Sequence, residues 1–269
     1  MTDAERLADY VEVWWGAVHD HLDLLEHLAP EEWSAPTDLP GWDVHACVAH
    51  TAHLESVLAG GPEESLDLEL PGHVRSVLGA YCEQGVAARR GRTPDELINE
   101  LREAATARHT TLVASPPTDG SQRPDVIFRG VDWTWATLLR NRPLDVWMHD
   151  QDVRRAVGRR GAMDSPAAQH AADYLLESLG FVLAKRASAP TGTTLVARVE
   201  GSAPVAFVVD GDRRGVRLEH VPADPTVELR MSREEFIVIA GGRRAPADVA
   251  VSGDEGLAIA VLNTMAVTP

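Results

Sequence analysis

The chain has 269 residues, 44% of them apolar, and a formal net charge of −16, which is enough apolar material for one large core or two modest ones. Residues 1–160 carry 27 acidic against 15 basic side chains, and a surface so acidic excludes a nucleic-acid binder, which needs positive charge to track phosphates. No apolar run approaches the ~20 residues that span a bilayer, and Thr2-Asp3-Ala4-Glu5-Arg6 is charged rather than signal-like, so a cytoplasmic protein without a membrane partner is expected.

Residues 3–28 read as one amphipathic helix, with Leu7, Val11, Trp14, Trp15, Val18, Leu22 and Leu25 recurring at three- and four-residue spacing. Pro and Gly punctuate a loop that runs from Leu28 to Trp42 and ends at Asp43, a good helix N-cap. A second helix is predicted from Val44 to Leu58, and Gly60-Gly61-Pro62 stops it. Pro71-Gly72 then opens a third helix through Val74, Val77, Leu78, Tyr81 and Val86. Cys47 and Cys82, the only cysteines, lie in these two helices without a CxxC spacing and read as buried free thiols. Thr93-Pro94-Asp95-Glu96 starts a fourth helix, with Thr as cap and Pro in the first turn. Residues 115–131 read as a loop that could cover a site. A last helix begins near Asp132 or Thr134, and Pro143 predicts a kink or fresh start immediately before Asp145.

Beyond about residue 162 the pattern changes. Asp164-Ser165-Pro166 starts a helix reaching about Leu183. Short β-like runs follow at Thr194–Val199, Val205–Val209, Val216–Leu218 and Val227–Leu229, separated by Gly201, Gly211-Asp212 and Pro222. Ser232-Arg233-Glu234-Glu235 matches a capping box, and a strand at Ala247–Val251 leads through Gly253-Asp254 into a final helix. The expected organisation is therefore an all-helical domain over 1–162 and a small α+β domain over 163–269.

The chemistry-bearing stretch is Leu144-Asp145-Val146-Trp147-Met148-His149-Asp150-Gln151-Asp152. On a helix Asp145 and His149 are four residues apart and share a face, a geometry that two ligands of one metal ion can use. A pair of this kind also arises by chance as a helix-surface ion pair, and buried histidines also serve as hydrogen-bonded core residues. A third ligand would come from elsewhere. His50, beside Val48, Ala49 and Ala52, is the candidate, with His53 as the alternative, whereas His45 lies round the helix toward solvent.

Leu39-Pro40-Gly41-Trp42-Asp43-Val44-x5-His50, followed by Arg142-x2-Asp145-x3-His149-x2-Asp152-x3-Ala156-x-Gly158, resembles the signature of the DinB-like, mycothiol-dependent maleylpyruvate isomerase family of actinobacteria. Ala240-Gly241-Gly242-Arg243-Arg244 and Val251-Ser252-Gly253-Asp254 resemble that family's second-domain pattern. The resemblance spans nearly the whole chain. It implies a DinB-like four-helix bundle followed by a small sterol-carrier-like α+β domain. It further implies that His50, Asp145 and His149 hold a divalent metal, most simply zinc, and that the thiol cofactor or co-substrate is mycothiol. Asp145 departs from the Glu usual in the family and is one methylene shorter.

The expected function is a metal-dependent thiol S-transferase or isomerase that acts on a small electrophilic metabolite, the protein being a monomer or homodimer. The alternatives are a metal-dependent hydrolase on the same scaffold and a non-catalytic small-molecule-binding protein with a decayed metal site. Arginines suit acidic groups on the thiol or substrate. Arg243 and Arg244 are the catalytic candidates, and Arg75, Arg89 and Arg243 are the candidates for binding the thiol. Asp152, one turn past His149, is a candidate for orienting that imidazole, with an exposed surface acid as the equal alternative.

Overall fold

The computed structural model describes every residue except His73, Arg75 and Pro269. The chain divides into two compact units, Met1–Ala162 and Met163–Pro269. Among the described residues the first holds five α-helices: α1 (Asp3–Glu26), α2 (Val44–Leu58), α3 (Val77–Arg89), α4 (Pro94–Ala114) and α5 (Trp135–Ala156), with a 3-10 turn at Pro30–Ser34. Each helix begins where a side chain can satisfy a free backbone N–H. Thr2 and Thr93 form reciprocal capping boxes with Glu5 and Glu96, while Asp43, Ser76 and Thr134 accept from Ala46, Gly79 and Thr137.

Helix α1 packs against α4 and α5, α2 packs against α4 and α5, and α3 lies against α2. The apolar stripe of α1 buries Leu7, Val11, Trp14, Val18, Leu22 and Leu25. Helix α2 is buried nearly all round, including Ala46–Glu55 without interruption, because it has neighbours on three sides. The segment between α4 and α5 folds back on α2 and α5, where Phe128 packs with Leu54, Val57, Leu58 and Leu138.

Two sequence expectations for this unit need correction. The third helix starts at Val77, not at Pro71-Gly72. Val74 donates to Pro71 in a turn, and Arg75 lies outside the described residues. Helix α5 runs unbroken through Pro143. The ring removes one N–H from the ladder, but Arg142, Pro143 and Leu144 are all buried, and the helix makes no fresh start there.

The second unit begins with α6 (Pro166–Glu177), which does not continue to Leu183 as one helix. It gives way at Ser178 to a short turn, α7 (Leu179–Phe181), and then to a π-helical segment at Val182–Arg186. A five-stranded mixed sheet follows, with β1 (Thr194–Val199), β2 (Val205–Val209), β3 (Gly215–Arg217), β4 (Val227–Met231) and β5 (Ala250–Gly253) in the order β3-β2-β1-β4-β5. Only β1 and β4 pair in parallel, in register Leu195 to Val227. Helix α8 (Arg233–Ala240) bridges β4 to the β5 edge, and α9 (Glu255–Asn263) packs on β4 and β5. The last strand sits three residues later than the sequence suggested, because its register is set by pairing with β4. At the other edge, backbone meets backbone: a Cβ on Gly215 would lie 1.9 Å from the Gly180 carbonyl oxygen, so β3 and α7 approach too closely for any side chain. The architecture is thus a helical unit followed by a small α+β unit.

Candidate metal centre

Helices α2 and α5 cross so that His50 of α2 faces Asp145 and His149 of α5. His50 Nε2 lies 3.6 Å from Asp145 Oδ2, and His149 Nε2 lies 3.9 Å from Asp145 Oδ1. The two imidazole centroids are 4.7 Å apart. One ligand atom from each residue lies within 4.8 Å of the other two. Tetrahedral bonds of about 2.0–2.1 Å place neighbouring ligand atoms roughly 3.3 Å apart, so each histidine stands somewhat beyond that spacing from its own oxygen of Asp145, and the three side chains must draw together to share one ion. Both histidines are at least nine-tenths buried, while the Asp145 side chain keeps 22% exposure and gives the cluster its opening. His50 Nδ1 and Nε2 and Asp145 Oδ2 are buried without a hydrogen-bond partner, which leaves them open to an ion. This donor set of two imidazoles and a carboxylate fits zinc.

The surroundings fix the charges. Burial alone would raise the Asp145 carboxyl. The Arg142 guanidinium, 3.0 Å away though out of line for a hydrogen bond, outweighs it with His50 and His149 and holds Asp145 well below the usual carboxylate range. Burial disfavours charged His50, yet Cys82 and Asp145 beside it outweigh that and raise it. Trp42, at the end of the loop before α2, packs its ring 5.1 Å from that of His50 and 5.9 Å from that of His149. Its indole N–H donates to Glu83 of α3 at 2.7 Å.

Beneath the cluster runs a buried ion network. Glu55 accepts from Trp14 (3.0 Å), from Arg108 (2.8 Å) and twice from Arg142 (3.0 and 2.9 Å). Arg142 thus joins Glu55 to Asp145. Charge balances over the four ionic groups, two guanidiniums against two carboxylates. This network, Trp42 and Cys82 were not singled out in the sequence as site residues. The signal available for it was Glu55 and Arg142, charged residues set within otherwise apolar helix faces.

The alternative ligand His53 turns away. Its Nδ1 accepts from Arg89 at 3.2 Å, and Gly85 presses on its ring so closely that a Cβ there would lie 2.1 Å from it. Burial, then Arg89 and His50, push His53 down to about 3. A histidine neutral in the fold but free to protonate when unfolded loses stability as pH falls from 6.5 toward 3, at about 1.4 kcal/mol per pH unit. We expect wild type to lose about 2 kcal/mol more than His53→Asn between pH 7 and 5 in urea titrations; equal losses would refute the assignment. His45 is half-buried rather than solvent-facing and contacts the Arg92 carbonyl at 2.9 Å.

Of the arginines expected to grip a ligand, Arg89 is 2% exposed and committed to a bidentate pair with Glu100 (3.0 and 2.6 Å) and a contact with Glu64 (3.2 Å). It is a structural tie between α3 and α4. Arg75 lies outside the described residues. Arg243, half-buried in the second unit, donates to the Gly241 carbonyl at 2.5 Å and to Thr268 at 3.1 Å; Arg244 is exposed. Cys47 is buried and Cys82 half-buried, and neither forms a disulfide.

These features define a two-unit protein, a helical unit with a half-open histidine–carboxylate cluster followed by an α+β unit. The chain belongs to the mycothiol maleylpyruvate isomerase family, a family of enzymes: it matches that family's N-terminal domain over residues 14–154 and the MDMPI C-terminal domain over residues 169–259. Among solved structures it is similar to two crystal structures of the mycothiol-dependent maleylpyruvate isomerase, one of them a point mutant. Identity is 19% in both cases, with 94% of this chain and 95% of the other covered and TM-scores of 0.59 and, for the mutant, 0.57. At that identity the likeness is one of fold. No curated protein sequence matches the chain. No described helix is long and apolar enough to cross a membrane.

Proposed function

We propose that the protein is a metal-dependent thiol S-transferase or isomerase that uses mycothiol on a small electrophilic metabolite, with His50, Asp145 and His149 holding a divalent metal, zinc fitting best. The observation that carries the reading is the convergence of three donors from two helices, with His50 Nε2 and Asp145 Oδ2 buried and making no hydrogen bond. Family membership and the names of the two structural relatives support mycothiol as the thiol. Bound in an open three-ligand site, zinc would lower the pKa of a coordinated thiol and make a thiolate available at neutral pH.

The chain's own residues then have definite tasks. Arg142 keeps Asp145 ionised and so able to serve as a ligand. Trp42 packs its ring against both imidazoles and so restricts how they turn. Arg243 and Arg244 are the second unit's candidates for gripping acidic groups of thiol or substrate by charge-assisted hydrogen bonds.

Thermal shift tests the thiol. With metal present, mycothiol at about 100 times its Kd should stabilise the protein by about 2.7 kcal/mol, and an analogue lacking the sulfur should give a far smaller shift. Equal shifts from both would reject thiol activation and favour water in the open position, as in a hydrolase.

A further inference from the structure

The His149 imidazole faces a carboxylate on each side. Its Nε2 looks toward Asp145 and the half-open side of the cluster, while its Nδ1 lies 3.1 Å from Asp152 Oδ2, within ion-pair range though out of line for a hydrogen bond. Asp152 is fully buried and held from behind, since Arg155 Nη2 donates to its Oδ1 at 2.5 Å. Arg155 Nε in turn donates to Asp38 Oδ2 at 2.8 Å. Asp38 belongs to the same loop as Trp42, whose ring rests on His50 and His149. A continuous line of contacts therefore runs from that loop through Arg155 and Asp152 to a ring nitrogen of His149.

Cys47 complicates the choice of side, because its Sγ, a His149 nitrogen and an Asp152 oxygen also lie within 4.8 Å of one another. Exposure decides between the clusters. Cys47 and Asp152 are completely buried, which leaves no approach for an incoming ligand, whereas Asp145 keeps its exposed edge.

We propose that Asp152 is a positioning residue that holds the proton of His149 on Nδ1, so that the Nε2 lone pair is presented to His50 and Asp145, and that the Arg155–Asp38 pair locks this arrangement to the Trp42 loop. An imidazole with no such partner mixes its two tautomers and rotates more freely, and either change lowers its worth as a ligand. Contacts of this outer kind are worth 10–100-fold in metal affinity. The proposal rests on the metal reading for its purpose, but the tautomer itself is a property of the metal-free chain.

The test uses full-length protein. In metal-free wild type, nitrogen NMR of the histidine side chains should show His149 as the Nδ1–H tautomer, and Asp152→Asn should mix or reverse it. Zinc affinity by chelator competition should weaken about 10–100-fold in Asp152→Asn, with stoichiometry kept at one. An unchanged tautomer, or a Kd within about twofold of wild type, overturns the proposal. Should Asp152→Asn fail to fold, Arg155→Gln takes its place, with weakening of about threefold or more expected and no change refuting the idea. Cobalt substitution checks the side. A thiolate-to-cobalt absorption that vanishes in Cys47→Ser would put the ion on the Asp152 face and overturn the assignment. Wild type that binds no zinc at all would reject the metal reading alone, and the tautomer result would still judge Asp152.

Discussion

Glu55→Gln should destabilise the helical unit by about 3–5 kcal/mol, the cost typical of removing one partner from a buried ion pair. Glu55 has no exposed surface, and its carboxylate is the meeting point of Arg108, Arg142 and the Trp14 indole. With the charge gone, Arg108 is a guanidinium at 5% exposure with no carboxylate in contact, and the amide must point its NH2 group at one of its former donors. Arg142 would keep only Asp145. By contrast, Asp212→Asn on the exposed Arg214 pair should change stability by no more than about 0.5 kcal/mol.

All seven tryptophans lie in residues 1–162, so denaturation followed by tryptophan fluorescence reports this unit by itself. The pH dependence has a definite sign. Burial works against the charged Glu55, but Arg142 and Arg108 outweigh it and lower its pKa in the fold. Its contribution is therefore present above the unfolded value near 4.3 and lost as pH falls below it toward the lower folded value. The gap between wild type and Glu55→Gln should be full at pH 7 and narrow below about pH 4. A gap under about 1 kcal/mol at pH 7 would mean that the network is not the dry ion cluster described above.

The second large effect concerns the metal. Wild type purified without chelator should hold about one equivalent of a divalent ion per chain. His50→Ala and His149→Ala should each weaken zinc binding by more than about 100-fold, beyond the range of outer contacts, because each removes one of three protein ligands. Elemental analysis after desalting and chelator competition give the numbers. Zinc should raise the melting temperature of wild type and of neither variant. Both substitutions cut a large side chain from a buried site, so metal-free stability should be compared first. A wild type without metal whose melting is indifferent to zinc would leave the cluster as a packed core contact, and the non-catalytic reading would then stand.

Much of the fold is legible in the amino-acid order. Helix α2 falls where its cap and stop residues say, from Asp43 before it to Gly60 after it, because capping and turn signals act within four residues. The strands of the second unit are found from short β-branched runs between glycines and aspartates, with ends uncertain by a few residues. Sequence misjudged the elements whose limits are set by neighbours. Pro143 reads locally as a break, yet α5, with buried flanks on either side, continues through it. The late position of β5 follows from pairing with β4, a partner about twenty residues away.

By itself the sequence determined that Asp145 and His149 share a helix face and that His50 sits on an apolar helix, since both follow from a 3.6-residue period. Only the tertiary structure decided that α2 and α5 cross so as to bring the three within ligand distance, and that His53, equally well placed by spacing, turns instead to Arg89. The same is true of charge. A count of acidic and basic residues says nothing of which four are buried together, because a buried ionic group is tolerated only when distant parts of the chain deliver its partner. Glu55, Arg108, Arg142 and Asp145 come from three helices and meet in one place only when the helices have packed.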